Sequence, residues 1–239
     1  MEQDQESGSF LKSLGIATYL VLAIWLVKLI EIKYNIDLSH FGILPRKLDG
    51  LPGILLAPFI HGDLTHLFSN SLPLFVSGMM LWYFFPTLAN KTMLIIYIAS
   101  GVGVWLLARS SYHIGASGVI YGIISFLGFS GFIRWDKRLM GLSLLVVFLY
   151  GSLVWGLLPL PIRISWESHL IGAVVGAACA YTFRKQGPKR KEYVFEEEEE
   201  EEIEYEEEVE SSTGESPADD QQSEIKINYI YKPLDNGQW

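Results

Sequence analysis

Four polar side chains inside long apolar stretches have the residue types of a hydrolytic site: Ser117, His169, His66 and Asn70. A serine hydroxyl is a poor nucleophile until a neighbouring base takes its proton, and histidine is the usual base near neutral pH. Ser117 and His169 therefore predict a nucleophile and its general base. Glu167 is two positions from His169 and points elsewhere on a helix, so the pattern favours a Ser–His dyad over a Ser–His–Asp triad.

His66 and Asn70 are spaced to act together. They are four residues apart, which places both on one face of a helix. Hydrolysis of a peptide bond creates an oxyanion, which needs preorganised hydrogen-bond donors. We expect these two side chains and the backbone N–H of Ser117 to supply those donors.

The elements that must position these residues are predicted to be membrane spans. The chain has 239 residues, 50% of them hydrophobic, and a mean hydropathy of +0.26, which predicts an all-α polytopic membrane protein. Six stretches are long enough, or nearly so, to cross a hydrocarbon core of about 30 Å. Numbered one to six, these spans are Phe10–Ile30, Leu64–Phe85, Thr92–Ala108, Ile114–Ile133, Leu139–Leu158 and Trp166–Phe183.

Basic residues predict the orientation of the spans. "RWDKR" (134–138) and "RKQGPKRK" (184–191) are expected to be cytoplasmic, which puts both termini inside and the first loop, residues 31–63, outside. This loop mixes apolar and helix-breaking residues, so we expect it to lie at the membrane interface or to pack against the spans. The four polar residues then share one depth near the external face, with Ser117 and His169 roughly 5 Å into their spans.

Glycines are expected to bring the serine and the histidine together. Gly115 and Gly118 flank the serine and allow close approach of backbone and substrate. Gly118 and Gly122 form a small-residue face on span four, and Gly172 and Gly176 form another on span six. If these faces meet, the two helices pack closely enough for a hydrogen bond between the two side chains.

Three motifs together resemble the signatures of the rhomboid family of intramembrane serine proteases. They are "HGDLTHLFSN" (61–70), "GASG" (115–118) with Tyr121, and "HLIGAVVG" (169–176). The motifs occur in the family's order and on the expected spans. The resemblance covers about residues 10–183 and implies a six-transmembrane-helix rhomboid-like bundle. The Trp-Arg pair that many members carry in the first loop is missing here.

The resemblance also implies roles for individual residues. Ser117 is the implied nucleophile, and His169 is the implied general base and acid. Tyr121 is implied to stack on His169, and His61 to help structure the opening of the site. The implied oxyanion hole consists of His66, Asn70 and the Ser117 amide.

The implied activity is cleavage of single-pass membrane proteins near the external end of their transmembrane helix. A small residue is expected just before the cut, and neither a metal nor an organic cofactor is expected. The expected partners are these substrates and the lipid bilayer, with no nucleic acid. The alternative within the family is a catalytically inactive protein that binds membrane clients without cutting them.

Structural explanations also exist for the individual residues. Ser117 could be a small residue at a helix contact, and His169 a buried histidine bonded to a backbone carbonyl. His113 lies one helical turn before Ser117 and is a second candidate base, although two positions on one straight helix make a poor nucleophile–base pair. A small transporter is a third function class, disfavoured because transporter sites lie near the bilayer centre.

The chain divides by composition into three parts. Residues 1–9 form a short cytoplasmic N-terminus, residues 10–183 the membrane domain, and residues 184–239 a cytoplasmic, acidic, largely disordered tail. The tail holds 18 acidic and 7 basic residues of a chain with net charge −9, and no partner is assigned to it. The single cysteine, Cys179, excludes an intrachain disulfide and a cysteine-based metal cluster. The lack of a targeting peptide suggests a prokaryotic plasma membrane.

Overall fold

The computed structural model describes residues 2–149, 158 and 165–187, and the side chains of residues 2–8 and Leu149 are not described. The regular structure of this part of the chain is entirely helical. Its α-helices are α1 Glu2–Tyr34, α2 Gly53–Leu56, α3 Leu64–Phe84, α4 Ala89–Leu107, α5 Ser117–Arg134, α6 Lys137–Leu149 and α7 Trp166–Thr182. Short 3-10 turns at Ser39–Phe41, Leu48–Gly50 and Ala57–Phe59 interrupt the first loop.

Three of the described helices are long and apolar enough to cross a membrane. Ser9–Tyr34 within α1 has a mean hydropathy of 2.0, and α4 and α5 each have 1.4. These helices support an integral membrane protein. Helix α3 has 21 residues but carries polar side chains such as His66 and Asn70, which lower its hydropathy. The count of six spans stays a prediction.

Two of the predicted segments lie partly outside the described residues. Span five was predicted as Leu139–Leu158, and only residues 139–149 and 158 of it are described. Residues 139–149 belong to the 13-residue helix α6. Span six corresponds to α7, which has 17 residues. Of the predicted tail, residues 188–239 lie outside the described part, so its predicted disorder stays a prediction.

The predicted start of span four is wrong by three residues. We expected the helix to begin at Ile114, but α5 begins at Ser117. The physical reason is Gly115, whose φ of +105° is incompatible with a right-handed helix. The amide of Gly115 instead donates to the carbonyl of Ala57 at 2.8 Å. Ser117 therefore lies at the helix end and not one turn inside it.

Helix α5 is the centre of the described bundle. It packs against α3, α4, α6 and α7, and its contact with α7 is the most extensive between any two described helices. Of the α5 span, 56% is buried against the rest of the protein, compared with 17% of the α1 span. Its buried side chains include Ile120, Ile123, Phe126 and Leu127. The central position means that α5 orients the helices around it.

The glycine faces of α5 and α7 are in direct contact. A Cβ placed on Gly172 would collide with the carbonyl oxygen of Gly118, and one on Gly176 would collide with the carbonyl oxygen of Gly122. No other residue type fits at either α7 position without moving the two backbones apart. The close packing of the two helices therefore depends on glycine, which has a hydrogen atom in place of a side chain, at these positions of the shared face.

The first loop packs against the helices and does not merely cross the surface. Ile43 and His113 exchange two backbone hydrogen bonds, each 2.9 Å, which join this loop to the segment before α5. Nη1 of Arg46 donates to the carbonyl of Ala108 at 2.8 Å. The loop was expected either at the membrane interface or packed against the spans, and these hydrogen bonds show that it packs against the helices. The loop holds the segment 108–116 at the end of the bundle where α3, α5 and α7 begin.

His61 at the end of the first loop is buried although it is ionisable. Its side chain is 1% exposed, and Nδ1 lies 3.4 Å from the carbonyl of Phe59. Burial is the main cause that lowers the pKa of His61 from 6.5 to about 4. Burial also lowers the pKa of His113. Both imidazoles are consequently neutral in the folded protein at pH 7.

We predict that Gly176→Ala destabilises the protein by about 1–3 kcal/mol, because the added methyl group overpacks the α5–α7 contact. Thermal unfolding in detergent measures the effect as a lowered Tm. The matched control is Gly141→Ala on α6, where a Cβ meets no atom within 4 Å. That change should leave Tm equal or slightly higher, since alanine favours helix. Equal Tm values for Gly176→Ala and wild type would contradict the close contact.

We predict that stability decreases as pH falls from about 6.5 to 4. In this window the unfolded chain binds a proton at His61 while the folded chain does not, so the stability is fully present above pH 6.5. The contribution lost on acidification is roughly 3 kcal/mol. Thermal unfolding across this range should show a shallower pH dependence for His61→Gln than for wild type. Replacing the exposed first-loop histidine, as in His40→Gln, is the control and should keep the wild-type slope.

Candidate active site

Ser117 and His169 are brought together by the α5–α7 contact. Ser117 is the first residue of α5, and His169 lies in the first turn of α7. Nε2 of His169 is 2.8 Å from Oγ of Ser117, a hydrogen-bond distance. The two residues are 52 positions apart in the chain, so only helix packing makes them neighbours. A hydroxyl in this geometry can pass its proton directly to the imidazole.

Tyr121 covers one face of the His169 ring. The two ring centroids are 4.2 Å apart, and the ring planes differ by 8°, so the rings are stacked. Tyr121 lies four residues after Ser117 and therefore on the same face of α5. His169 is buried, with 7% of its surface exposed. Stacking and burial together restrict the imidazole to one orientation.

The position of Ser117 at the start of α5 has an electrostatic consequence. The first N–H groups of a helix have no partner within the helix, and they carry the positive end of the helix dipole. Ala116 is the N-cap residue and offers no side-chain hydrogen bond to these groups. Negative charge that forms beside Ser117 would therefore meet a favourable field.

His66 and Asn70 lie on α3, where Asp63 determines the start of the helix. Oδ1 of Asp63 accepts a hydrogen bond from the backbone N–H of His66 at 2.7 Å, which is an N-cap interaction. Nδ2 of Asn70 donates to the carbonyl of His66 at 2.8 Å. That bond uses one of the two amide protons and leaves a second donor on the same nitrogen.

Gly115 allows the His66 ring to lie against the backbone just before Ser117. A Cβ at Gly115 would be 2.8 Å from both Cε1 and Nε2 of His66, closer than real side chains approach. The glycine thus explains two features at once: the late start of α5 and the contact between α3 and the serine segment. The His61 ring completes this side of the site, with its centroid 5.0 Å from that of His66 and the planes at 62°.

A second cross-link, between the segment before α5 and the start of α7, has no counterpart among the sequence predictions. Nδ1 of His113 is hydrogen-bonded to Oγ of Ser165, and Nε2 of His113 lies 3.0 Å from the carbonyl of Arg109. Ser165 is the N-cap residue of α7, and its Oγ lies 2.6 Å from that of Ser168. Both ring nitrogens of His113 thus have partners other than the candidate serine. This geometry disfavours His113 as the base.

The equal spacing of the two residue pairs is the sequence signal that could have revealed the His113–Ser165 hydrogen bond. The His113–Ser165 pair and the Ser117–His169 pair are both separated by 52 residues, because His113 precedes Ser117 by four residues and Ser165 precedes His169 by four.

Glu167, which the sequence does not favour as a third member of the site, forms an ion pair in the same region. Its Oε1 lies 3.5 Å from Nε of Arg109, which ties α7 to the segment before α5.

Comparison with known proteins identifies the family. Residues 50–186, more than half of the chain, match the Rhomboid domain. Proteins of Mycobacterium bovis and Mycobacterium tuberculosis, each described as uncharacterized, are 37% identical to this chain over 193 residues, which is 74% of this chain and 76% of theirs. A Mycobacterium leprae protein, also described as uncharacterized, is 34% identical over 199 residues, 76% of this chain and 74% of its own. The chain therefore belongs to the rhomboid family.

Proposed function

We propose that this protein is an intramembrane serine endopeptidase that uses Ser117 as nucleophile and His169 as general base and acid. The observation that carries the proposal is the 2.8 Å distance between Nε2 of His169 and Oγ of Ser117 at the starts of α7 and α5. A structural role for either residue alone does not require that distance or the stacked Tyr121. Membership of the rhomboid family supports the same activity.

The reaction would proceed through an acyl-enzyme. Oγ of Ser117 attacks the scissile carbonyl carbon while its proton passes to Nε2 of His169. The tetrahedral intermediate collapses with cleavage of the C–N bond, and His169 returns the proton to the leaving amine. A water molecule, deprotonated by His169, then attacks the ester and releases a carboxylic acid and the free serine. No redox or metal step is needed for the balance of atoms and electrons.

The negative oxygen formed in both steps would be stabilised from two sides. The backbone N–H of Ser117 lies at the positive end of the α5 dipole. The second amide proton of Asn70 and the ring of His66 are on the α3 side, where Asp63 and Gly115 hold them. Donors fixed in advance stabilise the transition state more than the substrate, which is the condition for faster catalysis.

The substrates we propose are single-pass membrane proteins, cut near the external end of the transmembrane helix. A helix hides its scissile carbonyl behind its own hydrogen bonds, so local unwinding is required. Small or helix-breaking residues near the cut facilitate this unwinding. The basic residues around 134–138 and after α7 support an orientation with cytoplasmic termini. The mycobacterial relatives support a prokaryotic plasma membrane.

We predict that a fluorophosphonate probe labels the wild-type protein in detergent and does not label Ser117→Ala, because only an activated serine attacks the probe. His169→Ala should likewise abolish labelling. Ser130→Ala, a buried serine at the other end of α5, is the matched control and should label like wild type. Labelling of Ser117→Ala at the wild-type level would refute the assignment. A client-binding protein without activity would show no labelling in any variant and no cleavage of a reconstituted transmembrane substrate.

We predict that Asn70→Ala lowers kcat for a transmembrane substrate by roughly 100- to 1,000-fold, the usual cost of losing an oxyanion donor. KM should remain within about twofold, because the interaction forms only in the transition state. The control is Asn90→Ala, since this asparagine of α4 accepts a hydrogen bond from Trp82 away from the candidate site. A rise in KM at unchanged kcat would show that Asn70 binds the substrate instead.

A further inference from the structure

Lys28 is a charged residue within the span Ser9–Tyr34 of α1. Its side chain is 12% exposed, and it is followed three residues later by Glu31, whose side chain is 5% exposed. Ionisable groups at membrane depth are costly unless they are paired, and they commonly mark function. Neither residue belongs to the segment 50–186 that matches the Rhomboid domain, so the family match assigns them no role.

The three donors of the Lys28 ammonium group are all used. Nζ donates to Oε2 of Glu31 at 3.1 Å, to the carbonyl of His61 at 2.8 Å and to the carbonyl of Gly62 at 3.1 Å. The other carboxylate oxygen of Glu31 accepts from the backbone N–H of Leu38 at 3.0 Å. The ion pair is therefore completely hydrogen-bonded, the condition under which a buried pair is tolerated. It connects α1 to both ends of the first loop.

The two carbonyls that accept from Lys28 lie directly before the N-cap of α3. His61 and Gly62 immediately precede Asp63, whose side chain caps α3 through the backbone N–H of His66. A shift of the carbonyls would move the cap, the first turn of α3 and the His66 ring together. The His61 ring also rests edge-on against the His66 ring, with centroids 5.0 Å apart. Lys28 is thus three steps from the candidate oxyanion hole, and each step is a defined contact.

We propose that Lys28, held in place by Glu31, is a positioning residue for the oxyanion hole and acts through the backbone of residues 61–62 and the ring of His66. This inference rests on the proposed protease activity. Lys28 touches neither the candidate nucleophile nor its base in the described contacts. Its removal should therefore slow the chemical step while substrate binding and the Ser117–His169 pair persist.

The first test replaces the charge with an apolar side chain of similar length. Lys28→Met should lower kcat by roughly 10- to 100-fold, since displacement of a catalytic donor by about 1 Å has an effect of this size. KM for the same transmembrane substrate should stay within about twofold. The matched control is Lys33→Met, an exposed lysine on the same helix, which should keep the wild-type kcat.

A double-mutant cycle distinguishes positioning from general stabilisation. If Lys28 acts through His66, Lys28→Met should lower kcat by less than about threefold in a His66→Ala background. Equal fold-changes in both backgrounds, or a rise in KM, would overturn the proposal. So would a wild-type kcat in Lys28→Met. If that variant does not fold, Lys28→Met/Glu31→Gln removes both charges and avoids an unpaired buried carboxylate; the same outcomes apply to it.

The experiment also separates this inference from the proposed function. If wild type hydrolyses the substrate and Ser117→Ala does not, the protease activity is supported, whatever the kinetics of Lys28→Met. With that hydrolysis present, normal kinetics of Lys28→Met overturn the positioning role alone. If wild type and Ser117→Ala cleave the substrate equally, the protease assignment and the inference that rests on it both fail.

Discussion

The backbone contact between α5 and α7 is the constraint on which the rest of the site depends. At Gly172 and Gly176 the α7 backbone meets carbonyl oxygens of α5 with no space for a Cβ. Ser125 adds a hydrogen bond across the same interface, from its hydroxyl to the carbonyl of Ala173 at 2.6 Å. At this separation Ser117, the first residue of α5, and His169, in the first turn of α7, come within hydrogen-bond distance. A larger residue at either glycine would separate the helices and with them the two functional groups.

Polar groups at the end of the bundle that holds Ser117 and His169 form linked contacts from several elements. The first loop, the segment before α5, and the starts of α3 and α7 all converge there. Each contact has a defined role: Asp63 caps α3, His113 joins Ser165, and Lys28 holds the backbone before α3. Each of these hydrogen bonds compensates the cost of removing a polar group from water. The same hydrogen bonds fix the positions of the residues around the candidate site. The contacts that stabilise the fold therefore also preorganise the site.

Much of this arrangement could be predicted from local pattern. The helical class, the family and the residue types at the site follow from hydropathy and from three short motifs. Spacing of three or four residues predicted which side chains share a helix face, as for Tyr121 with Ser117. Other features could not be predicted. The positive φ of Gly115 displaced the start of α5, since a glycine in an apolar run is equally compatible with a helix. The link from Lys28 to the carbonyls of His61 and Gly62 joins positions 33 and 34 residues apart, and such pairs have no periodic signature.

The sequence by itself determined the all-helical class and which side chains could perform hydrolysis, because both depend on residue type and short-range spacing. Tertiary structure decided which of these side chains meet. It paired Ser117 with His169 instead of His113, gave His113 a second partner across the interface, and connected α1 to the start of α3 through Lys28. The physical reason is that helix periodicity acts within one helix, whereas hydrogen bonds between helices depend on how closely and at what height two backbones pack.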